Sequence, residues 1–347
     1  MKFRVGVAIA TAVVSVVTFA GCGGGGGGDA GSASSSGGDS GSGDKIKVAF
    51  VPKLQGSPYF EAMDSGAKQA AQELGNIEWL YQGPTSADAA AQADVVRSFI
   101  QQQVDVLVVA PNDPDSMAPL LQEAQAAGIK VATSDTDAPN SVRQVFVNQA
   151  TAEGIGKQVI DSLAKAMGES GEYAIVSCGE TAENLNSWIK AETAYAEATY
   201  PNMKQVALGY SGEDQTANAQ MATDYMNAHP NLKGLIGQCT TSAVGVAQAV
   251  RDANKIGKVF SVGVGTPQSM KPYLADKSSS ASVLWDVEQF GYLTAWAGLQ
   301  LGQDKPFQAT NNVSPKLADV KYEDATKQLL LGPALEINPS NVDDFSY

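Results

Sequence analysis

Polar and aromatic side chains follow predicted strands at the point where each strand ends. Lys53, Tyr59 and Phe60 come after the apolar run Ile46–Val51, and Asp135 follows a later strand. An ionised carboxylate accepts several hydrogen bonds, a Lys donates them, and an aromatic ring covers an apolar face. This combination of residue types indicates a binding site for a small ligand with several hydroxyl groups.

Further candidates occupy the same kind of position in later elements, and all can bond hydroxyl groups or cover a sugar ring. They are Asn112, Asp113, Asp137, Asn184, Asn186, Trp188, Gln238, Thr240, Trp285 and Asp286. Some have an alternative structural role. Asn112 or Asp113 can cap the helix that begins at Pro114, and Asp135 can form an Asx turn.

The elements that position these residues alternate between strand and helix along residues 46–301. Val104–Val109 shows little alternation, which is typical of a parallel strand buried on both faces. Two successive runs of strand and helix predict an α/β fold with two doubly wound parallel-sheet lobes. Ligands bind such sheets beyond the carboxyl ends of the strands, where the candidate residues lie.

The N-terminus predicts export. Lys2 and Arg4 precede the uncharged run Val5–Ala20, which is shorter than the ~20 residues that a membrane-spanning helix needs. A positive start followed by a short apolar run and small residues is typical of a secretory signal peptide. We therefore assign residues 1–21 to a signal peptide.

The residues around Cys22 resemble a bacterial lipobox, with Phe19 in place of the usual Leu. The resemblance implies cleavage before Cys22 and lipidation of that residue. Residues 22–44 are rich in Gly and Ser, a composition that behaves as a flexible coil. We expect this segment to tether a folded domain to the membrane, with no other contact between protein and membrane.

Composition excludes several classes of function. The net charge is −14, and nucleic-acid binding needs a basic surface. His229 is the single His, and no catalytic set or zinc cluster can be built around it. We expect no catalytic residue, cofactor or metal. Export permits a disulfide between Cys178 and Cys239, but sequence alone leaves their pairing open.

The whole of residues 45–347 resembles the type I periplasmic sugar-binding proteins of ABC importers, in the ribose-binding-like superfamily. The resemblance is strongest to the clade of rhamnose-binding and autoinducer-2-binding proteins. Five motifs match that clade in order. They are Asn112-Asp-Pro-Asp115, Asp135, Asn186-x-Trp188, Thr266-Pro267 and Leu284-Trp-Asp286.

This resemblance implies two lobes joined by a three-strand hinge, with crossings near Asn148, Asp286 and Lys316. The expected N-terminal lobe comprises residues 45–147 and 286–316. The expected C-terminal lobe comprises residues 148–285 and 317–347. The lobes would close on the ligand as a hinged pair.

The implied function is capture of a monosaccharide outside the cytoplasm by a lipid-anchored monomer. The implied partners are an ABC permease and its ATPase subunits. Gly265 stands where ribose and galactose binders usually carry an Asp, and Asn184-Leu185 and Gln238-Cys239-Thr240 depart from autoinducer-2 receptors. These departures favour a rhamnose-like deoxysugar. The alternative is autoinducer-2 or another small polyol, with or without a chemosensory role.

Overall fold

Short apolar strands, buried on both faces, form the centre of the protein. The computed structural model describes residues 45–347. All four residues of Val106–Val109 are buried, and this strand pairs in parallel with Ile46–Val51 on one side and Lys130–Ser134 on the other. A parallel strand in this position needs apolar side chains on both faces, because helices cover both.

The first sheet has eight strands in the order β11-β12-β13-β5-β4-β3-β1-β2. The strands are β1 (Ile46–Val51), β2 (Ile77–Tyr81), β3 (Val106–Val109), β4 (Lys130–Ser134), β5 (Val145–Asn148), β11 (Thr310–Asn311), β12 (Val320–Glu323) and β13 (Gln328–Leu330). Helices α1 (Pro58–Leu74), α2 (Ala89–Gln101), α3 (Pro114–Ala126) and α9 (Val287–Gly302) cover this sheet. Pairing is parallel from β2 to β13 and antiparallel between β11, β12 and β13.

The second sheet has six strands in the order β14-β10-β9-β8-β6-β7. The strands are β6 (Gly171–Ser177), β7 (Met203–Tyr210), β8 (Leu232–Gly237), β9 (Phe260–Gly263), β10 (Ala281–Leu284) and β14 (Leu335–Ile337). The helices of this lobe are α4 (Ala152–Met167), α5 (Glu183–Thr199), α6 (Gln215–Ala228), α7 (Thr240–Asp252) and α8 (Pro267–Ala275). The predicted α/β fold with two doubly wound lobes is thereby confirmed.

The chain passes between the sheets at three places. The first lies between β5 and β6 and the second between β10 and α9, which packs on α1. The third lies between β13 and β14. We expected it near Lys316, with residues 317–347 in the C-terminal lobe. Instead β12 and β13 extend the first sheet, because β13 pairs with the open edge of β5.

Two glycines let α1 and α9 pack against each other at unusually short range. A Cβ atom on Gly66 would lie 1.8 Å from the carbonyl oxygen of Glu288, and one on Gly291 would lie 1.8 Å from that of Met63. No side chain fits at either position while the helix backbones keep this distance. The contact matters to the site because α1 begins beside Tyr59 and α9 begins just after Trp285.

Within residues 45–347, no helix combines the length and the apolar character needed to cross a membrane. The predicted signal peptide, Cys22 and the tether lie outside the residues that the structure describes, and they stay predictions.

We predict that Gly291→Ala lowers the free energy of unfolding by about 1–3 kcal/mol, because the added methyl group forces α1 and α9 apart. Urea denaturation measures the change. Gly332→Ala is the matched control, since a Cβ atom there meets no atom within 4 Å. Equal stability of the two variants would contradict the close helix contact.

Candidate ligand-binding site

A cavity of about 50 Å³ lies between the two lobes, beyond the carboxyl ends of strands from both sheets. Such a volume holds only one or two water molecules, because side chains of the two lobes are in contact here. The lining residues are Lys53, Ser57, Tyr59, Phe60, Asp135, Asn184, Leu185, Trp188, Glu213, Gln238, Cys239, Thr240, Val264, Leu284 and Trp285.

The carboxylate of Asp135 is the centre of the polar contacts. Tyr59 donates its hydroxyl to Oδ1 at 2.9 Å. Thr136 donates to Oδ2 at 3.1 Å, and the side-chain amide of Asn184 donates to the same oxygen at 3.4 Å. The ammonium of Lys53 lies 3.6 Å from Oδ2. Tyr59 and Lys53 come from the first lobe and Asn184 from the second, so both lobes supply donors to one carboxylate.

The backbone of Asp135 is held in a specific conformation. Its φ is 67°, in the left-handed region that Asp adopts more readily than most residues. Its N–H donates to the carbonyl of Val147 at 3.2 Å. Its carbonyl accepts from the side chain of Gln149 at 3.1 Å. Strand β5 and the first crossing therefore fix the direction in which this carboxylate points.

Lys53 connects the lobes. Its ammonium donates to Oδ1 of Asn184 at 2.8 Å, although the residue is only 6% exposed. A second bond joins the lobes nearby, where the hydroxyl of Thr181 donates to the carbonyl of Asn112 at 3.0 Å. These bonds hold the lobes in the arrangement that leaves so small a cavity.

Aromatic rings form one wall of the cavity. Trp285 packs edge-to-face against Tyr59, with 5.8 Å between ring centroids, and against Trp188, with 5.7 Å. Edge-to-face pairs at such distances are favourable. Trp285 is 1% exposed, and its indole N–H has no hydrogen-bond acceptor among the described residues. This wall offers a ligand apolar surface and one donor, the indole N–H of Trp285.

The site is electrostatically crowded. Burial, and then the neighbouring charge of Asp135, raise the pKa of Tyr59 well above its ordinary value. The phenol of Tyr59 therefore keeps its proton and donates it in the hydrogen bond to Asp135. Burial also raises the pKa of Glu213, against the opposing effect of the Lys53 ammonium. Lys53 is thus the cation that compensates two acidic groups at this site.

Nine of the residues selected from sequence line this cavity. They are Lys53, Tyr59, Phe60, Asp135, Asn184, Trp188, Gln238, Thr240 and Trp285. Each follows a strand or lies in the first two turns of the next helix, so the strand-end rule explains why they converge.

Asn112 and Asp113 do not line the cavity. Asp113 is the N-cap of α3, and its carboxylate accepts from the N–H of Ser116 at 2.8 Å. The side chain of Asn112 donates to the carbonyl of Lys53 at 3.0 Å. The capping alternative is correct for Asp113, and Asn112 supports the loop that carries Lys53.

Asp137, Asn186 and Asp286 also lie outside the cavity, because their polar atoms are engaged elsewhere. Both carboxylate oxygens of Asp137 accept from Arg143, at 2.5 and 2.7 Å. The side chain of Asn186 bonds the carbonyl of Glu180 and the hydroxyl of Tyr210. Asp286 is the N-cap of α9.

Asp137 borders a separate, open cleft of about 630 Å³. This cleft shares Asp135, Asn184 and Trp188 with the cavity.

Sequence analysis missed Glu213. Its carboxylate accepts from the hydroxyl of Thr241 at 3.3 Å, in the second lobe. β7 extends to Tyr210, and Glu213 lies just beyond that end. Glu213 therefore occupies a strand-end position like the other candidates, and the same rule would have found it.

A family model described as a periplasmic binding protein domain matches residues 48–306. This chain belongs to the periplasmic binding protein family. The family comprises extracytoplasmic proteins, and the resemblance seen in the sequence is confirmed.

Known relatives of this periplasmic binding protein cover most of its length. It is 29% identical to the D-ribose/D-allose-binding protein of Pseudomonas aeruginosa over 74% of this chain and 81% of that one. A solved solute binding protein of an ABC transporter from Clostridium phytofermentas, with bound L-rhamnose, has 28% identity and a TM-score of 0.80, over 86% of this chain and 98% of that one. LsrB from Clostridium saccharobutylicum, in complex with AI-2, has 24% identity and a TM-score of 0.81, over 87% and 100% of the two chains. At that identity the likeness to LsrB shows the fold alone.

A disulfide joins two loops of the site in this periplasmic binding protein. Cys178 follows β6 and Cys239 precedes α7, and their sulfurs are bonded. Cys239 lines the cavity, and Cys178 begins the loop that leads into α5, the helix that carries Asn184. The sequence left this pairing open. Because both sulfurs are bonded, the cluster of Cys178, Cys239 and Glu213 offers no thiolate to a metal.

We predict that replacing both cysteines with Ser lowers the free energy of unfolding by about 2–4 kcal/mol, because the disulfide closes a long loop of the unfolded chain. The residues it joins are 61 positions apart. Chemical denaturation with and without a thiol reductant measures the effect. Reductant should destabilise the natural protein and leave the double variant unchanged; identical curves for the two proteins would contradict a stabilising disulfide.

Proposed function

We propose that this protein captures a monosaccharide between its two lobes and delivers it to an ABC importer. The observation that carries the proposal is the Asp135 carboxylate. It is enclosed between two lobes, receives hydrogen bonds from both, and lies beside a wall of aromatic rings. Such a group can accept two ligand hydroxyls, and the rings can cover the apolar face of a sugar.

Binding exchanges bonds between the lobes for bonds to the ligand. In the present arrangement Lys53 bonds Asn184, and Asn184 bonds Asp135. A sugar is larger than a cavity of about 50 Å³, so the lobes move apart to admit it. Its hydroxyls then take over the donors and acceptors that the lobes now offer to each other. Closure around the ligand is a hinge motion about the three crossings.

A rhamnose-like deoxysugar is our preferred ligand within this class. The rhamnose-bound structure from Clostridium phytofermentas, at 28% identity, supports the choice. Gly265 supports it as well, because a Cβ atom there would lie 2.7 Å from Met270 and 3.0 Å from Ala243. The Asp that ribose and galactose binders usually carry at this position would require Met270 to move. D-ribose and D-allose are also among the sugars to be tested, because the Pseudomonas aeruginosa relative is named as a D-ribose/D-allose-binding protein.

A binding role, without catalysis, agrees with the relatives, whose names describe binding proteins. We propose ABC permease and ATPase subunits as partners, and a monomeric protein that presents its closed form to the permease. We further propose that residues 1–21 are removed and that lipidated Cys22 anchors the domain through the 22–44 tether.

We predict that Cys22→Ser releases the protein from the membrane fraction, because it removes the residue that we propose carries the acyl chains. Membrane fractionation and labelling with a radioactive fatty acid measure this. Ser36→Ala, in the tether, is the control and should stay membrane-bound and labelled. A Cys22→Ser protein that remains in the membrane fraction would show that the anchor lies elsewhere.

The proposed function is tested by a thermal-shift screen of residues 45–347 against L-rhamnose, D-ribose, D-allose, other monosaccharides, polyols and autoinducer-2. A ligand present at 100 times its dissociation constant adds about 2.7 kcal/mol of stability. Stabilisation by one sugar or a small set supports the proposal. No shift with any sugar, together with a shift by autoinducer-2, would overturn the proposed ligand and keep the binding role.

We predict that Asp135→Asn weakens binding of that sugar by about 1.5–3 kcal/mol, because one hydroxyl acceptor becomes a donor at a buried site. Asn tolerates the left-handed backbone of this position. Isothermal titration calorimetry measures the affinity. Asp113→Ala is the control: it removes a helix cap and costs about 1 kcal/mol of stability, with no change in affinity. Unchanged affinity in Asp135→Asn would remove Asp135 from the site.

A further inference from the structure

A second carboxyl group lies behind the cavity wall. Glu192, on α5, is 0% exposed, and it does not line the cavity. Its Oε2 accepts a hydrogen bond of 2.6 Å from the side-chain amide nitrogen of Gln238, which does line the cavity. No other residue in the described part of the chain bonds the Glu192 side chain, and its Oε1 has no partner there.

A buried carboxyl group with a single hydrogen bond is costly to a folded protein. Burial raises the pKa of Glu192 to about 8, so the group is largely neutral near pH 7. Its Oε2 accepts from the Gln238 amide. A Leu or Met side chain would fill the same volume without this cost, which indicates that the contact to Gln238 has a use beyond packing.

The amide nitrogen of Gln238 donates a hydrogen bond within the protein, whereas its carbonyl oxygen has no donor among the described residues. Its backbone N–H donates to the carbonyl of Val176 at 3.0 Å, which fixes the residue at the end of β8. One N–H of its amide nitrogen donates to Glu192, and its Oε1 is buried with no hydrogen-bond donor within residues 45–347. The carbonyl oxygen is therefore the acceptor atom that this side chain leaves for a ligand.

We propose that Glu192 is a positioning residue for ligand recognition. By accepting the hydrogen bond of the Gln238 amide nitrogen, it leaves the Gln238 carbonyl oxygen as the acceptor for one hydroxyl group of the bound sugar. This inference rests on the proposed function and adds a specificity rule to it. A sugar that lacks a hydroxyl at the position facing Gln238 is rejected, because the buried acceptor would stay unpaired.

The test uses three variants in the full chain, with L-rhamnose, D-ribose and D-allose as probes in isothermal titration calorimetry. Glu192→Leu removes the acceptor and should weaken binding at least 10-fold. Glu192→Gln keeps a carbonyl acceptor in a side chain of the same shape. Its affinity should therefore stay within about 3-fold of the natural affinity, because the hydrogen bond to Gln238 is retained. In the Glu192→Leu background, adding Gln238→Leu should change affinity little, because the two residues act as one unit.

Stability without ligand separates this role from a purely structural one. Glu192→Leu should unfold at the same temperature as the natural protein or higher, because it removes a buried carboxyl group. A lower unfolding temperature with unchanged affinity would mean that Glu192 is only structural. Equal loss of affinity in Glu192→Gln and Glu192→Leu would also overturn the proposal.

If none of these sugars binds, the proposed function fails. A measurement without ligand then still tests the role of Glu192. With ¹⁵N-labelled glutamine, the side-chain amide signal of Gln238 is identified by its loss in Gln238→Leu. Its amide protons should be protected from solvent exchange in the natural protein and in Glu192→Gln, and exchange faster in Glu192→Leu. Equal protection in Glu192→Leu would show that Glu192 does not hold Gln238.

Discussion

A carboxylate between two protein lobes must be surrounded by donors, and this requirement organises the molecule. Asp135 takes its hydrogen bonds from Tyr59, Thr136 and Asn184, so neither lobe satisfies it alone. Removing water from a charge is favourable only when such partners replace it. The two sheets, the crossings and the left-handed backbone at Asp135 together hold these partners in place.

The aromatic wall ties the same site to the core. Tyr59, Trp188 and Trp285 belong to one buried hydrophobic cluster that includes side chains of both lobes. The polar and apolar parts of the cavity thus depend on the same approach of the lobes. The close packing of α1 on α9 supports this arrangement from behind, since α1 begins at the Tyr59 side of the cavity and α9 begins beyond Trp285.

Much of the fold could be predicted from sequence because its central strands are apolar on both faces. Ile46–Val51 is an example, and its predicted bounds agree with the structure. The short strands β11 to β14 could not be found in this way, since two to four residues carry no readable period. The pairing of β11, β12 and β13 depends on the free edge of β5, which is a property of the folded sheet, and β14 pairs with the edge strand β10 of the second sheet. The error in the third crossing has that origin.

The site was predictable as a position but not as a list of contacts. Asp113, Asp135 and Asp286 all follow strands, yet two of them cap helices because a helix begins at the next residue. Asp135 is followed by a loop and keeps its carboxylate for the cavity. Glu192 escaped sequence analysis for another reason: it lies in the middle of α5, where only the packed structure shows that it touches Gln238.

The pairing of β13 with β5 has a consequence for how the chain acquires its structure. Val145–Asn148 and Gln328–Leu330 are neighbours in the sheet but far apart in sequence, and β14 closes the second sheet later still. During synthesis, neither sheet can be completed until residues 328–337 have been made. Contacts so distant in sequence form slowly, because a long loop must close before they contribute. The order of the chain itself therefore delays the native state until residues 328–337 have been synthesised.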